Sequence, residues 1–291
     1  MPLYIYLMQM KYGEMDLKFF RRNIMNNLEK IANKSRIDII DMIYNAKSGH
    51  PGGSLSVIDI LTVLYHKEMN LNLDTKGKRI DKCILSKGHA APALYATLAS
   101  VGILDKDLLK TLRKFDSTLE GHPSIKIPGI DSSSGSLGQG LSIANGMALA
   151  KRLGENIGYV YVILGDGELE EGQNWEAFMT TNKYNLNNVI IFIDNNGLQI
   201  DGSIQDVKKL SNLDEKIASF GLNVIKCDGN NVDEIQVAIA TAKKSIKPSC
   251  IIAKTIKGKG VSFMENEASW HGKSLTDEEY IQAKKELESK I

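Results

Sequence analysis

Cysteine is scarce in this chain: Cys83, Cys227 and Cys250 are the only three in 291 residues. No Cys-x-x-Cys spacing occurs and no histidine–cysteine grouping suits zinc. A disulfide framework is thereby excluded. Each cysteine falls in an expected strand, where buried reduced thiols of a cytoplasmic protein belong. Long apolar runs are also missing. Leu3–Met8 is too short to cross a membrane, no basic region precedes it, and no small-residue cleavage site follows. Charge of one sign is absent too, since 36 Lys and Arg face 35 Asp and Glu, so nothing calls for nucleic acid or an anionic membrane. There is no Gly-x-Ser-x-Gly elbow of a hydrolase. Without internal repeats or low-complexity linkers, the chain reads as one domain over 27–291. A tail or helix, 1–26, precedes it and is expected to be loosely held.

What is present centres on residues 157–202. Residues 157–164 form an apolar, β-branched run, and Val189–Ile193 form a second, each of the length of a buried strand. Between them, Glu168–Tyr184 carries Trp175, Phe178 and Met179 at helical spacing. A strand–helix–strand crossover makes the strands parallel, which places Asp166 and Asn196 just past their carboxyl ends, where α/β sheets bind ligands. Asp166 offers charge and Asn196 a neutral amide oxygen, and a backbone carbonyl beyond it offers a third donor. That set suits a hard cation such as magnesium, completed by phosphate oxygens. Gly165 and Gly167 let the backbone approach a phosphate at a helix start. Glu170 stands where the dinucleotide fingerprint needs its third glycine. A metal-free nucleotide or flavin loop remains open on these residues alone.

Around this unit, Asp16–Ala46 has a helical pattern ending at Gly49, and Pro51-Gly52-Gly53 reads as loop. Ser54 or Ser56 would cap a helix from Leu55 to Met69. Strand 82–85 ends in Ser86-Lys87-Gly88-His89. Helices 90–104 and 105–115 follow, then a long loop, 116–135, and a helix opened by Gly135-Ser136-Leu137-Gly138-Gln139-Gly140. Helix 213–220, strand 223–227, helix 232–245 and strand 250–256 continue the alternation, and Thr276 with Glu279 makes a capping box for the last helix. Five strands alternating with helices predict a doubly wound parallel sheet with helices on both faces. The loops 48–54, 86–90, 121–123, 135–140, 165–167 and 195–198 are expected to converge at one edge.

Three of the five histidines follow a glycine: His50, His89 and His122. Imidazoles on such loops suit binding of hydroxyls and relay of protons. His271, in Trp-His-Gly, is a fourth candidate, whereas His66 reads as a surface residue at a helix end. Glu168, Glu170 and Glu171 are explained by a helix's first turn. Lys257 and Lys259, in the run Lys257-Gly258-Lys259-Gly260, are either phosphate contacts or a solvated basic loop.

Ser48-Gly49-His50-Pro51-Gly52-Gly53-Ser54-Leu55, Ser86-Lys87-Gly88-His89-Ala90, Glu120-Gly121-His122-Pro123, Ser134 to Gly140, Gly165 to Gly172 and Asp194-Asn195-Asn196 together resemble the transketolase family. The likeness spans about residues 27–285 and covers only the diphosphate-binding, N-terminal half of a full-length enzyme. The resemblance implies the thiamin diphosphate-binding fold and the N-terminal subunit of a two-subunit transketolase, which moves a two-carbon ketol unit from a ketose phosphate to an aldose phosphate. It implies that Asp166, Asn196 and the Leu198 carbonyl bind Mg2+ or another divalent cation such as Ca2+. Gly135, Ser136, Leu137, Gly167, Asn196, His89 and His271 would contact thiamin diphosphate, and His50, His122 and His271 the sugar. Glu171 would lie at an interface, near the cofactor-activating glutamate of the other half. That glutamate, with the pyrimidine-binding domain, would come from a C-terminal partner subunit in a dimer of heterodimers. The loop 257–260 is instead similar to deoxyxylulose-phosphate synthases, and serines precede Leu-Gly-Gln-Gly where Thr-Gly-Pro is common. The alternatives are that enzyme, a 2-oxo acid dehydrogenase α-subunit, and a non-catalytic cofactor-binding paralogue.

Overall fold

The computed structural model describes residues 27–154 and 158–291. The expected tail 1–26, the start of the first helix and Ile157 lie outside the described residues. Five parallel strands, β1 (Lys82–Leu85), β2 (Val160–Gly165), β3 (Val189–Asn195), β4 (Asn223–Asp228) and β5 (Ser249–Lys254), form one sheet in the order β1-β2-β3-β5-β4. Residues alternate between the faces, as the two-residue period of a strand requires. Cys83, Tyr161, Ile163, Ile190, Phe192 and Ile251 join one core, and Ile84, Val162, Leu164, Ile191, Ile193 and Ile252 the other. The sheet is therefore covered on both sides, the doubly wound arrangement that the alternation predicts.

The first core contains α1 (27–46), α2 (Pro51–Val63), α3 (Ala91–Ser100), α8 (Val232–Lys244) and α9 (Asp277–Glu288). The second contains α4 (Gly140–Leu153), α5 (Gly172–Lys183) and α7 (Leu213–Ser219), while α6 (Ile204–Val207) is a single turn. α2 is buried at all 13 positions, the signature of a central helix, and its buried Asp59 is paired with Arg36. It starts at Pro51, not Leu55, and no side chain caps it. Proline fits the first helical position, where its missing N–H would have no partner, so Pro51-Gly52-Gly53 is a first turn and not a loop. Ser54 Oγ bonds back to the His50 carbonyl, and Ser56 Oγ to Asp194. α2 ends in a wider π turn, Leu64–Glu68.

Other boundaries differ for local reasons. The expected helix 105–115 is a short 3-10 turn, Lys106–Thr111, and α3 stops at Ser100, before Gly102 with φ +74°. Residues 135–139 are loop, so α4 opens at Gly140. Glu168–Tyr184 divides into a 3-10 turn, Gly167–Glu170, and α5, with Glu171 between them in an extended conformation. The capping box of Thr276 and Glu279 opens α9 as the sequence predicts. No helix among the described residues is long and apolar enough to cross a membrane.

Candidate active site

The carboxyl ends of β1, β2 and β3 carry the predicted loops, and tight approaches bring them together. A Cβ at Gly88 would lie 2.6 Å from Ser134 Oγ, so the 86–90 loop touches the 132–140 loop as only glycine permits. The His122 ring lies over Gly135. Gly165 and Asp194 are paired across β2 and β3, which sets Asp166 and Asn196 side by side just beyond the sheet.

Three histidines meet here. The rings of His50, His89 and His271 are 5.1 to 5.4 Å apart, centre to centre. Burial, reinforced by neighbouring positive charge, holds each in the neutral form. His50 is brought down to about 4 by burial, then by Arg113, His122 and nearby lysines. His271 is brought to about 3 by burial, with Lys257 next, and His89 falls well below the usual imidazole value. Among the described residues, His50 Nδ1 is buried with no hydrogen-bond partner, as is Ser134 Oγ, which leaves polar atoms available to a ligand. His122 lies outside this trio, on an exposed rim, with its loop held by the Tyr95 hydroxyl donating to the Glu120 and His122 carbonyls, both at 3.0 Å. His66 is at the far end of α2's π turn, bonded to Ser100 Oγ.

Asp166 is buried, and its carboxylate accepts from the backbone N–H of Gly167 at 2.9 Å and of Gly197 at 2.5 Å. Burial raises its pKa to about 6, and those two hydrogen bonds offset part of the rise. A carboxylate so placed gains from a cation beside it. Asn196 Oδ1 accepts from Leu198 N–H at 3.1 Å. Among the described residues, no group of three His, Cys, Asp or Glu side chains is placed to hold a metal. The donors here are one carboxylate, one amide and one carbonyl, an all-oxygen set that suits magnesium or calcium with phosphate completing the shell.

Four charged residues shape the site, and of these only Lys257 stands out in the sequence as a candidate, for contact with phosphate. Lys87 and Asp194 form an ion pair with side chains 2% and 0% exposed. Lys87 also donates to the Gly53 carbonyl at 3.0 Å, and Asp194 accepts from Ser56 at 2.6 Å and from Thr255. The pair thus ties α2, β1, β3 and the end of β5 together. Glu168, expected only as a first-turn carboxylate, is buried; it accepts from Gly165 N–H and Gly138 N–H, each at 2.9 Å, and from Ser86 Oγ, binding three site loops. Lys257 is also buried and not part of a solvated loop, whereas Lys259 is partly exposed beside Glu265. Glu171 is exposed, at the start of α5.

Comparison with known proteins agrees with this architecture. The family described as "Transketolase, thiamine diphosphate binding domain" matches residues 28–290. A 6-deoxy-6-sulfo-D-fructose transketolase subunit of a Clostridium species is 42% identical over 90% of this chain and 96% of its own length. An apulose-4-phosphate transketolase subunit of Phocaeicola vulgatus is 39% identical over 92% of this chain and 96% of its own. Human transketolase is 39% identical, but the match covers 91% of this chain and only 42% of that protein. The crystal structure of transketolase from Campylobacter jejuni superposes with a TM-score of 0.83 at 33% identity, covering 90% of this chain and 42% of the other. The chain spans nearly all of the subunit relatives and under half of the full-length ones. It belongs to the transketolase family, corresponding to the thiamine diphosphate-binding domain.

Proposed function

We propose that this chain is the diphosphate-binding subunit of a two-subunit, magnesium-dependent transketolase that moves a two-carbon ketol unit from a ketose phosphate to an aldose phosphate. The observation that carries the reading is the cluster of His50, His89 and His271 beside the Asp166 loop, in a chain that matches transketolase subunits over 90% and 92% of its length. The chemistry that thiamin diphosphate supplies when bound is a carbon nucleophile for bond cleavage and formation next to a carbonyl. Asp166, Asn196 and the Leu198 carbonyl would hold the cation; Gly135 to Leu137, Gly167, Asn196, His89 and His271 would hold the cofactor.

His50, His122 and His271 would meet the sugar. Neutral imidazoles offer one donor and one acceptor each, so they orient hydroxyls and pass protons without first losing one. Glu171, exposed at the start of α5, would face the partner that brings the pyrimidine-binding domain, in a dimer of heterodimers. The three free cysteines suit a cytoplasmic enzyme, and central sugar-phosphate interconversion, as in the pentose phosphate pathway, suits the activity. The test is to mix the chain with its candidate partner subunit, thiamin diphosphate, magnesium, a ketose phosphate and an aldose phosphate, and to follow two-carbon transfer. Turnover is expected only with both subunits. Robust turnover by this chain alone would overturn the reading of it as half an enzyme.

A further inference from the structure

Lys257, between Ile256 and Gly258, occupies an unusual position for a lysine in a glycine-rich loop. It is 1% exposed, and its side chain runs across the first turn of α2, where a Cβ on Gly52 would lie 3.0 Å from its Cγ and 3.1 Å from its Cε. The backbone fixes the same approach, since Gly258 N–H donates to the Gly52 carbonyl at 3.0 Å. The ammonium group then has three acceptors: the Leu198 and Gln199 carbonyls, each at 3.4 Å, and His271 Nδ1 at 3.1 Å. A lysine ammonium has three N–H donors and no acceptor, so three protons face three lone pairs.

We infer that Lys257 is a positioning residue that fixes His271 as the Nε2-protonated tautomer, so that this histidine enters the cluster as a hydrogen-bond donor. A neutral imidazole carries one N–H, and the nitrogen facing an ammonium must be the one without it. Nδ1 therefore accepts from Lys257, and the proton resides on Nε2. Among the described residues, His50 and His89 have no comparable charged donor on a ring nitrogen, and His50 Nδ1 has no hydrogen-bond partner. Of the three clustered rings, His271 is the one whose polarity the protein dictates. The same lysine grips the 196–199 loop, so the loop that carries Asn196 and the ring of His271 are held by one group. The use of that donor in ketol transfer rests on the function proposed above; the tautomer does not.

The test is nitrogen-15 NMR of the full chain with labelled histidine, His271 being identified by the signal that His271→Gln removes. Wild type is expected to show Nε2–H and a hydrogen-bonded, unprotonated Nδ1. An isolated imidazole also favours Nε2–H, so the deciding variant is one that reverses the partner. Lys257→Glu presents an acceptor and is expected to move the proton to Nδ1, while Lys257→Arg, still a donor, keeps it on Nε2. Nδ1–H in the wild type, or an unchanged tautomer in folded Lys257→Glu, would overturn the inference. Should Lys257→Glu fail to fold, Lys257→Met decides. There, His271 Nδ1 must lose the chemical-shift displacement that a bound donor imposes, and no change refutes the role. Two-carbon transfer in the assembled enzyme is expected to fall at least several-fold in Lys257→Glu and to be better preserved in Lys257→Arg. If wild type itself transfers nothing, the proposed function fails while the spectrum still judges the tautomer.

Discussion

The carboxyl edge of the sheet has two halves, and they treat charge in opposite ways. Over β1, β2 and β3, long loops fold inward and bury Lys87, Asp194, Asp166, Glu168 and Lys257, with three neutral histidines among them. Over β4 and β5 the edge opens into a cleft of about 770 Å³, lined by Asn195, Asp214, Lys226, Asp228, Lys254 and Thr255. Its ion pair, Lys226 with Asp214, is 65% and 38% exposed. Both halves follow from one backbone geometry. The difference lies in where the chain goes after each strand: the segment after β5 crosses to the closed half with Thr255, Lys257 and His271, whereas β4 leads after three residues into α8. Roominess therefore does not mark the chemistry here. Chemistry is marked by charges that the fold buries against water's preference, because only there are fields strong enough to hold a cation or set an imidazole's state.

The comparison breaks most sharply at Lys87. Its partner Asp194 is fully buried, so Lys87→Met leaves a carboxylate stranded; removing one member of a buried pair costs about 3–5 kcal/mol. Urea unfolding is expected to show a loss of that size, and a loss near zero would mean that water reaches Asp194. Asp166→Ala comes next. It is expected to weaken magnesium-dependent binding of thiamin diphosphate by roughly 100-fold, in the range that disturbing a metal site produces. The unfolding midpoint should change little, since the ionised buried carboxylate is itself costly. Calorimetry with and without magnesium, partner present, measures it; unchanged affinity would remove Asp166 from the site.

Alanine at His50, His122 or His271 is expected to lower sugar turnover by several-fold to a few hundred-fold, on the scale of about one to three hydrogen bonds. His89→Ala should act more on cofactor affinity. Steady-state kinetics against both ligands separates the two, and wild-type kinetics in all three sugar-side variants would make those histidines structural.

Acid should distinguish the halves as well. The folded pKa values of His50, His89 and His271 lie below the unfolded value, so below about pH 6.5 the unfolded chain takes up protons that the folded chain refuses. Stability is lost as pH falls from that point through the folded values, down to about 4 for His50 and about 3 for His271. Asp166, raised to about 6, and Glu168, also raised by burial, work the other way and offset part of the loss, because their folded forms take up a proton first. Three histidines outweigh two carboxylates, so the urea midpoint is expected to fall between pH 7 and 5. The fall should be smaller in His271→Gln.

Much of this was legible in the sequence because it was written locally. Strand period, crossover order and glycine-marked loops located the edge, and the Gly-His spacing named two of the three clustered rings, His271 coming from Trp-His-Gly. The charges that organise the site were not legible, because burial is decided by distant chain. Lys87 meets Asp194 across 107 residues, and Glu168 looks like any first-turn glutamate until Ser86 and Gly138 close over it. For Lys257 the local sequence leaves phosphate contact and solvated loop equally open, whereas Gly52 in another helix supplies the groove for its stem. Pro51 was misread for a simpler reason. Proline ends helices and also begins them, and only the direction of the following chain tells which.

The smallest effect is expected at the open half, and it is the control that gives the others meaning. Lys226 and Asp214 are in direct contact, as Lys87 and Asp194 are, so a count of ion pairs would rank them alike. Solvent makes them different. Lys226 has water on most of its surface, and the Asp214 pKa is lowered mainly by the hydrogen bond from Lys226, a contact that salt and side-chain motion weaken. Lys226→Met removes that contact but strands nothing, because water solvates Asp214 in its place. The urea midpoint of Lys226→Met is therefore expected to match wild type within error, and the small difference that remains should vanish in high salt. Lys87→Met should keep its full deficit in the same salt, since a dry pair is hardly screened. If the two variants lost stability equally, burial would not be what separates the two halves of the edge.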